Sequence, residues 1–550
     1  MVKKLFRWLQ QPVSNWDIFW AVVFTAIITF QPQYAHGPLN LFEFGLYLPS
    51  MDALLHGQVP YRDFFYLRGP LEIYIPAFLM KVFGEHTVYL SLYFYVGNVF
   101  CLIVAILIAA ELLQTKSIFY AFVPVFIARV FPRVVFSYWG GLRYVWGLLF
   151  VYFMIRAFKT KNKWMFMLSG FVVGCSTFTS IEIGVACLIA TITTFICSLL
   201  QDRQSADKNL FLSFILGFLV IFIPFLIYFY QLHALKPFIE AIEAVVFKSH
   251  PTFMTHLTSS SPKSLGEFIL SMIPGTKNFK YMTPMYCYLM IAGVLAWRFR
   301  LNLFKNLELG LMNMAIYGLV LYFAAFRIIE GGQFETALQI EKILYFFLLE
   351  LIFLWVLSKR KTIGVIFLIG IVVSSWGFAV DKYSKRFPMV TTIRSHFDKK
   401  FREKHKSQQE VSLNFERAKG IKTSFLQARE LEMVSKAVNL YSNINDKIFV
   451  YPDMGSYYFL FQRNVVGRFP VATLSWMRQD WHEELMHDLE NQKPRLIILK
   501  KNLEKDFENV YFKRPSNKSN FNDVMNFIET NYHLMVKTEA SLIYLINAKS

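Results

Sequence analysis

The chain has 550 residues, of which 55% are hydrophobic and 18% aromatic, with a mean hydropathy of +0.38 and a formal net charge of +19. That composition is too apolar for a water-soluble protein of this length, which excludes the ordinary globular classes. The positive charge invites a nucleic-acid partner. Much of it flanks apolar segments, however, where anionic lipid and the membrane-insertion rule account for it, so no nucleic acid is expected.

Apolar runs of spanning length recur from about residue 17 to 380 and then stop. They predict spans over 17–32, 90–113, 117–131, 143–158, 164–180, 183–200, 209–231, 283–299, 308–326, 342–358 and 362–380. The first has no small-residue cleavage site and is expected to stay as an anchor. The connections 1–16, 114–117, 156–163, 201–208, 298–306 and 358–362 hold sixteen Lys and Arg against two acids, Asp202 and Asp207. The loop 33–89 has three basic residues (Arg62, Arg68, Lys81) and five acids (Glu43, Asp52, Asp63, Glu72, Glu85). This asymmetry predicts a cytoplasmic amino terminus, with the loop and the region after the eleventh span outside. The five cysteines (Cys101, Cys175, Cys187, Cys197, Cys287) lie in or beside spans and suggest neither a disulfide framework nor a zinc site.

The loop from Glu43 to Gly84 is long and patterned, where a mere connection need only be short and polar. A helix over 40–56 would place Asn40, Glu43, Tyr47 and Ser50 on one face. Asp52, nine residues after Glu43, falls about 180° away on that helix. Asp52 and Glu85 are expected to face water. Pro60 and Pro70 stop helices and present Tyr61, Arg62 and Asp63 on irregular backbone. A second long loop, 232–282, is expected to hold helices around a polar centre and to act either as a lid or as a packing plug.

Residues 1–380 are expected to form a helical membrane body and 385–550 a soluble tail. In the tail, helical stretches at 425–441, 479–491 and 520–531 precede the short apolar runs DKIFVYP, KPRLIILK and SLIYLIN. That order predicts a small α/β domain with a largely parallel sheet. It contains no GxGxxG, P-loop or HExxH motif. By position alone, the tail is expected to gate the acceptor or bind a partner protein.

The run from Glu43 through HGQVPYRDFF to GPL and FG resembles the first outer loop of the GT-C class of membrane glycosyltransferases. That class includes protein O-mannosyltransferases and the lipid A aminoarabinose transferase. Its pattern has an acid fourteen residues before a glycine, as Glu43 stands before Gly57, although the family usually has Asp there. Residues 169–184, SGFVVGCSTFTSIEIG, are similar to a family span that ends in a Lys motif, with Ser180 at the lysine position. KIFVYPDMGSYYFLFQR, 447–463, resembles the opening strand of the family's exported tail.

The resemblance implies a GT-C-like α-helical polytopic membrane protein of about eleven spans with a small extracytoplasmic α/β domain, in a bacterial cytoplasmic membrane. It implies an inverting transfer of sugar from a polyprenyl-phosphate donor to a glycan, lipid or protein acceptor. The phosphate leaving group is already a stable anion, so such a reaction needs no general acid; what it needs is a carboxylate base for the acceptor hydroxyl. Glu43 is the first candidate for that base and Asp63 the second. The phosphate needs cations. Arg133, Arg143 and Arg327 are offered at span ends, where snorkelling into head groups is the alternative. Tyr61, Arg62 and Arg68 of the loop, with Tyr138 and Glu182, complete the expected substrate-binding set, although Tyr138 also suits the aromatic belt. Glu43 and Asp63 could share a divalent cation, but no ligand spacing calls for a metal or other cofactor.

Two other classes compete. A gradient-driven transporter would carry ionisable groups near the midplane, yet spans 90–110, 183–200, 209–231 and 308–326 contain no Asp, Glu, Lys or Arg. A polymerase or ligase of carrier-linked oligosaccharides would share the membrane location and the phosphate chemistry.

Overall fold

The computed structural model of the chain describes residues 10–130, 140–201, 208–244, 265–276, 279–301, 303–325, 340–386, 396–400, 410–444, 446–471, 477–501 and 515–547. Among these, helices coincide with all eleven predicted spans: Asn15–Thr29, Val88–Leu112, Lys116–Val130, Leu142–Thr160, Lys163–Thr179, Ile181–Gln201, Lys208–Gln231, Phe279–Arg300, Asn306–Ala325, Ile340–Lys359 and Lys361–Arg386. Five of them are long and apolar enough to cross a bilayer on length and composition alone. Their outer faces stay apolar where a soluble protein would turn polar: Ile196, Val220, Ile223, Ile366 and Val373 are exposed. The architecture is that of a polytopic α-helical membrane protein.

The last span helix runs on to Arg386, beyond the predicted end, and the tail then opens with a small antiparallel pair, β1 (Glu410–Ser412) and β2 (Lys422–Ser424). The predicted tail helices are present as Phe425–Tyr441, Gln479–Gln492 and Pro515–Asn531. Five strands follow as one sheet: β3 (Lys447–Tyr451), β4 (Asn464–Val465), β5 (Leu496–Lys500), β6 (Tyr532–Lys537) and β7 (Ser541–Ile546), in the order β4-β3-β5-β7-β6. Strands β3, β4 and β5 are mutually parallel, but β7 runs antiparallel to both β5 and β6. The expected largely parallel sheet is therefore mixed. Strand β6 was not anticipated, and only residues 538–540 separate it from β7, too few for a crossover, so the pair must be a hairpin.

The first loop and the tail share one apolar core, in which Phe44, Tyr47, Met51, Phe64 and Phe65 lie with Leu431, Ile448, Tyr457, Phe469 and Trp481. Backbone hydrogen bonds join them: Leu39 N–H to Lys422 O (2.9 Å), Phe65 N–H to Arg468 O (2.6 Å) and Thr87 N–H to Arg417 O (2.9 Å). Ten of the described span helices separate the two in sequence, an even number, so both emerge on one face of the helical body.

Candidate active site

The site begins with a helix cap. Asn40 accepts the Glu43 N–H at 3.0 Å and starts the helix Leu41–Leu55, which places Glu43 in its first turn. Glu43, Tyr47 and Ser50 are buried together on the predicted face. Asp52 points the other way, as its spacing required, but it does not merely face water. Arg417 of the tail reaches Asp52 at 3.0 Å and also pairs with Glu85, so both acids clamp the tail to the loop. The expectation of solvated acids is corrected there, because a partner distant in sequence claims them.

The turn after this helix separates the two candidate bases. Arg62 grips Asp63 with two bonds of 2.7 Å, and Asp63 also accepts the Val59 N–H at 2.8 Å. The Arg62 hydrogen bond holds the Asp63 carboxyl below the usual carboxylate range, which is unfavourable for a proton acceptor. Arg62 itself donates to the Leu232 carbonyl (2.9 Å), tying the turn to the second long loop. Both residues serve the turn and are not drawn into the Glu43 cluster. Tyr61 is buried, with its ring edge-on to Phe238 at 5.0 Å, and its hydroxyl donates to the Arg68 carbonyl.

Gly69 seats the loop on the membrane helices. Its N–H donates to Thr179 O at 3.2 Å, and a Cβ here would lie 2.2 Å from the Phe178 carbonyl oxygen, so no side chain fits. This contact brings Arg68 beside the helix ends that carry Arg143, Ser180 and Glu182. Arg143 donates from Nε to Ser180 Oγ (3.1 Å) and pairs through Nη2 with Glu182 Oε2 (3.2 Å). Ser180 occupies the position where the resemblance leads one to expect a lysine, and a guanidinium from the neighbouring helix reaches it instead.

Arg68 divides its fork. Nη1 faces Glu72 Oε1 at 3.4 Å and the Tyr47 hydroxyl, while Nη2 lies 3.8 Å from Glu43 Oε2, within ion-pair range but beyond hydrogen-bond reach. Glu72 is fully buried and accepts from Tyr47 (2.8 Å) and Tyr66 (3.4 Å). Glu43 Oε2 is buried with no hydrogen-bond partner among the described residues. Burial raises the Glu43 carboxyl above its ordinary value; Arg68 and Arg143 oppose that rise and Glu72 adds to it. Glu72 is raised by the same desolvation. The cluster thus holds three acids (Glu43, Glu72, Glu182) and two guanidiniums, one acid having a spare, basic oxygen.

Sequence reasoning missed Glu72, Tyr66 and Ser180 as parts of this cluster. The four-residue spacing of Arg68 and Glu72 across Pro70 was the available signal. Arg133, Tyr138 and Arg327 lie outside the described residues. Among the described residues no group of three or more His, Cys, Asp or Glu is arranged to hold a metal ion.

No protein-family model and no curated protein sequence matches the chain. Solved structures do. ArnT from Cupriavidus metallidurans bound to undecaprenyl phosphate is 12% identical with a TM-score of 0.52, the match covering 98% of this chain and 99% of that one. ArnT from the same organism in the apo state is 11% identical with a TM-score of 0.51, over 96% and 97% of the two chains. At these identities the likeness is one of fold, and it bears out the GT-C architecture that the first loop led us to expect.

Proposed function

We propose that the chain transfers a sugar from a polyprenyl-phosphate carrier to an acceptor hydroxyl, with inversion, at the outer face of a bacterial cytoplasmic membrane. Residues 1–380 are the transferring body and 385–550 the exterior tail, with the amino terminus in the cytoplasm, as the basic connections require. One observation carries the reading: a buried carboxylate, Glu43, has no hydrogen-bond partner for Oε2 among the described residues and lies under the charge of two guanidiniums, on the fold of a protein solved with undecaprenyl phosphate.

The chemistry follows from these groups. The acceptor oxygen attacks the anomeric carbon from the face opposite the phosphate, and its proton passes to Glu43 Oε2. The bond from that carbon to the phosphate oxygen breaks, and its electron pair leaves on the lipid phosphate. A phosphodiester monoanion thereby becomes a monoester that gains negative charge. Cations facing it bind the transition state more tightly than the donor, which is what accelerates a reaction. We assign that part to Arg68 and Arg143, the guanidiniums among the described residues whose charge acts on Glu43. Burial of Glu43 makes it a stronger base than a solvated carboxylate.

The test is Glu43→Gln in proteoliposomes supplied with a panel of undecaprenyl-phosphoryl monosaccharides and cell-surface lipid, reading release of undecaprenyl phosphate. The expected loss is about 10²–10⁴-fold. Release at the parent rate would remove Glu43 from the chemistry.

A further inference from the structure

In open α/β sheets the crevice beyond the carboxyl ends of parallel strands is where ligands are bound, because the turns and helix starts converge there. The tail of this chain has such an edge, made by β4, β3 and β5. The turns that leave β3 and β4 are occupied by the chain's own first loop.

The turn after β3 meets the helix of Glu43. A Cβ on Gly455 would lie 2.7 Å from the Gly45 carbonyl oxygen, and one on Gly45 would lie 2.9 Å from Gly455 N, so the two backbones touch directly. Ser456 Oγ donates to the Leu41 carbonyl at 2.9 Å. Leu41 and Gly45 flank Glu43 at two residues on either side. The turn after β4 meets the other half of the site. The Arg468 carbonyl accepts the Phe65 N–H at 2.6 Å, and its guanidinium reaches Tyr61 O at 3.4 Å. Glu484 fixes that guanidinium with bonds of 2.6 and 2.8 Å, and Phe65 packs its ring 4.9 Å from Trp481. Tyr61 in turn holds the Arg68 carbonyl through its hydroxyl.

We infer that the carboxyl edge of the tail sheet is a positioning platform for the site: the turn after β3 places Glu43, the turn after β4 places Arg68, and together they set the separation of acid and guanidinium. This rests on the reading of Glu43 as the base. Gly455, Ser456 and Arg468 touch no reacting atom. They act through the loop, and a shift of about 1 Å in a reacting group is enough to cost about 10²-fold in rate.

The experiment uses the full chain in proteoliposomes with the undecaprenyl-phosphoryl monosaccharide that the parent accepts. Gly455→Ala, Ser456→Ala and Arg468→Ala are compared for kcat, for KM toward that donor and for melting temperature. Ile528→Val, in the buried face of the helix Pro515–Asn531 that packs on β6, serves as a control that loosens the tail away from the loop. The expected result is a fall in kcat of about tenfold or more for Gly455→Ala and Arg468→Ala, with donor KM within about threefold. Ile528→Val should keep kcat within about twofold at a comparable loss of melting temperature. Ser456→Ala, which removes one hydrogen bond and inserts nothing, gives the reading if Gly455→Ala fails to fold, with an expected kcat loss of about threefold or more. Parent kcat in the folded tail variants, or a kcat loss in Ile528→Val that matches theirs, overturns the platform. Glu43→Gln run alongside separates the failures. An inactive Glu43→Gln beside fully active tail variants overturns the platform alone, whereas a fully active Glu43→Gln overturns the base assignment beneath it.

Discussion

Glu43 and Asp63 stand twenty positions apart in one loop, and their surroundings give them opposite tendencies. Asp63 is saturated by Arg62 and the Val59 amide, while Glu43 has a buried oxygen with no donor among the described residues. Replacing Asp63 with Asn should therefore leave transfer within about threefold of the parent and cost only the turn, about 0.5–1.5 kcal/mol read as melting temperature. Glu43→Gln should behave in the reverse way, losing transfer while keeping stability. The sign follows from its raised carboxyl. The folded chain holds that proton more tightly than the unfolded chain, so the group costs no stability below the ordinary glutamate value and destabilises increasingly as pH rises through the folded one. Melting of parent and Glu43→Gln should thus coincide near pH 4 and diverge toward pH 8, with the variant the more stable. A parent that is the more stable at pH 8 would contradict a carboxylate whose burial outweighs its guanidinium neighbours. Arg68→Lys keeps a charge but loses the fork shared between Glu72 and Glu43. It should fold and raise donor KM by about tenfold, the worth of one charge-assisted hydrogen bond.

At the scale of elements, the span helices were legible because a bilayer leaves an apolar run of spanning length few alternatives to a helix. The face joining Glu43, Tyr47 and Ser50 was legible for a related reason, since helical spacing alone decides it. What could not be read locally were contacts made across the chain. Arg417 lies more than 330 residues from the two loop acids it joins, and nothing near Asp52 or Glu85 announces it. Strand β6 was hidden because Tyr532–Lys537 is mostly exposed and its apolar run, Leu534 to Val536, is short. Ser180 and Arg143 meet only because two span helices end side by side. The Arg417 clamp makes a prediction of its own. Its side chain also covers the Phe459 ring at 4.7 Å. Arg417→Ala should lower stability by about 1–2 kcal/mol, after allowance for the partial exposure of Asp52 and Glu85. Glu85→Gln, which leaves the Asp52 bond in place, should cost less than half of that. Equal losses would mean that Asp52 takes no part in the clamp.

For the whole molecule, the shared core of loop and tail constrains topology more firmly than hydropathy does. Two segments packed together cannot lie on opposite sides of a bilayer, so an even number of crossings between them is a geometric requirement, and the ten described span helices between them meet it. Cysteines introduced at Val82 in the loop and Leu440 in the tail, both exposed, should react with a membrane-impermeant thiol reagent from the same, outer side; labelling from opposite sides would refute the packing. The same assembly isolates Glu43 from water beneath the tail, with Arg68, Arg143 and Glu72 as the charged groups that act on it. The pH dependence of transfer is therefore the most direct test of the account, because it reads the charge state of that carboxylate while it works. Turnover of an undecaprenyl-phosphoryl monosaccharide should rise with pH along an acidic limb whose midpoint lies above the ordinary glutamate value, and the limb should vanish in Glu43→Gln together with most of the rate. An acidic limb of unchanged position and height in Glu43→Gln would contradict the account at its centre.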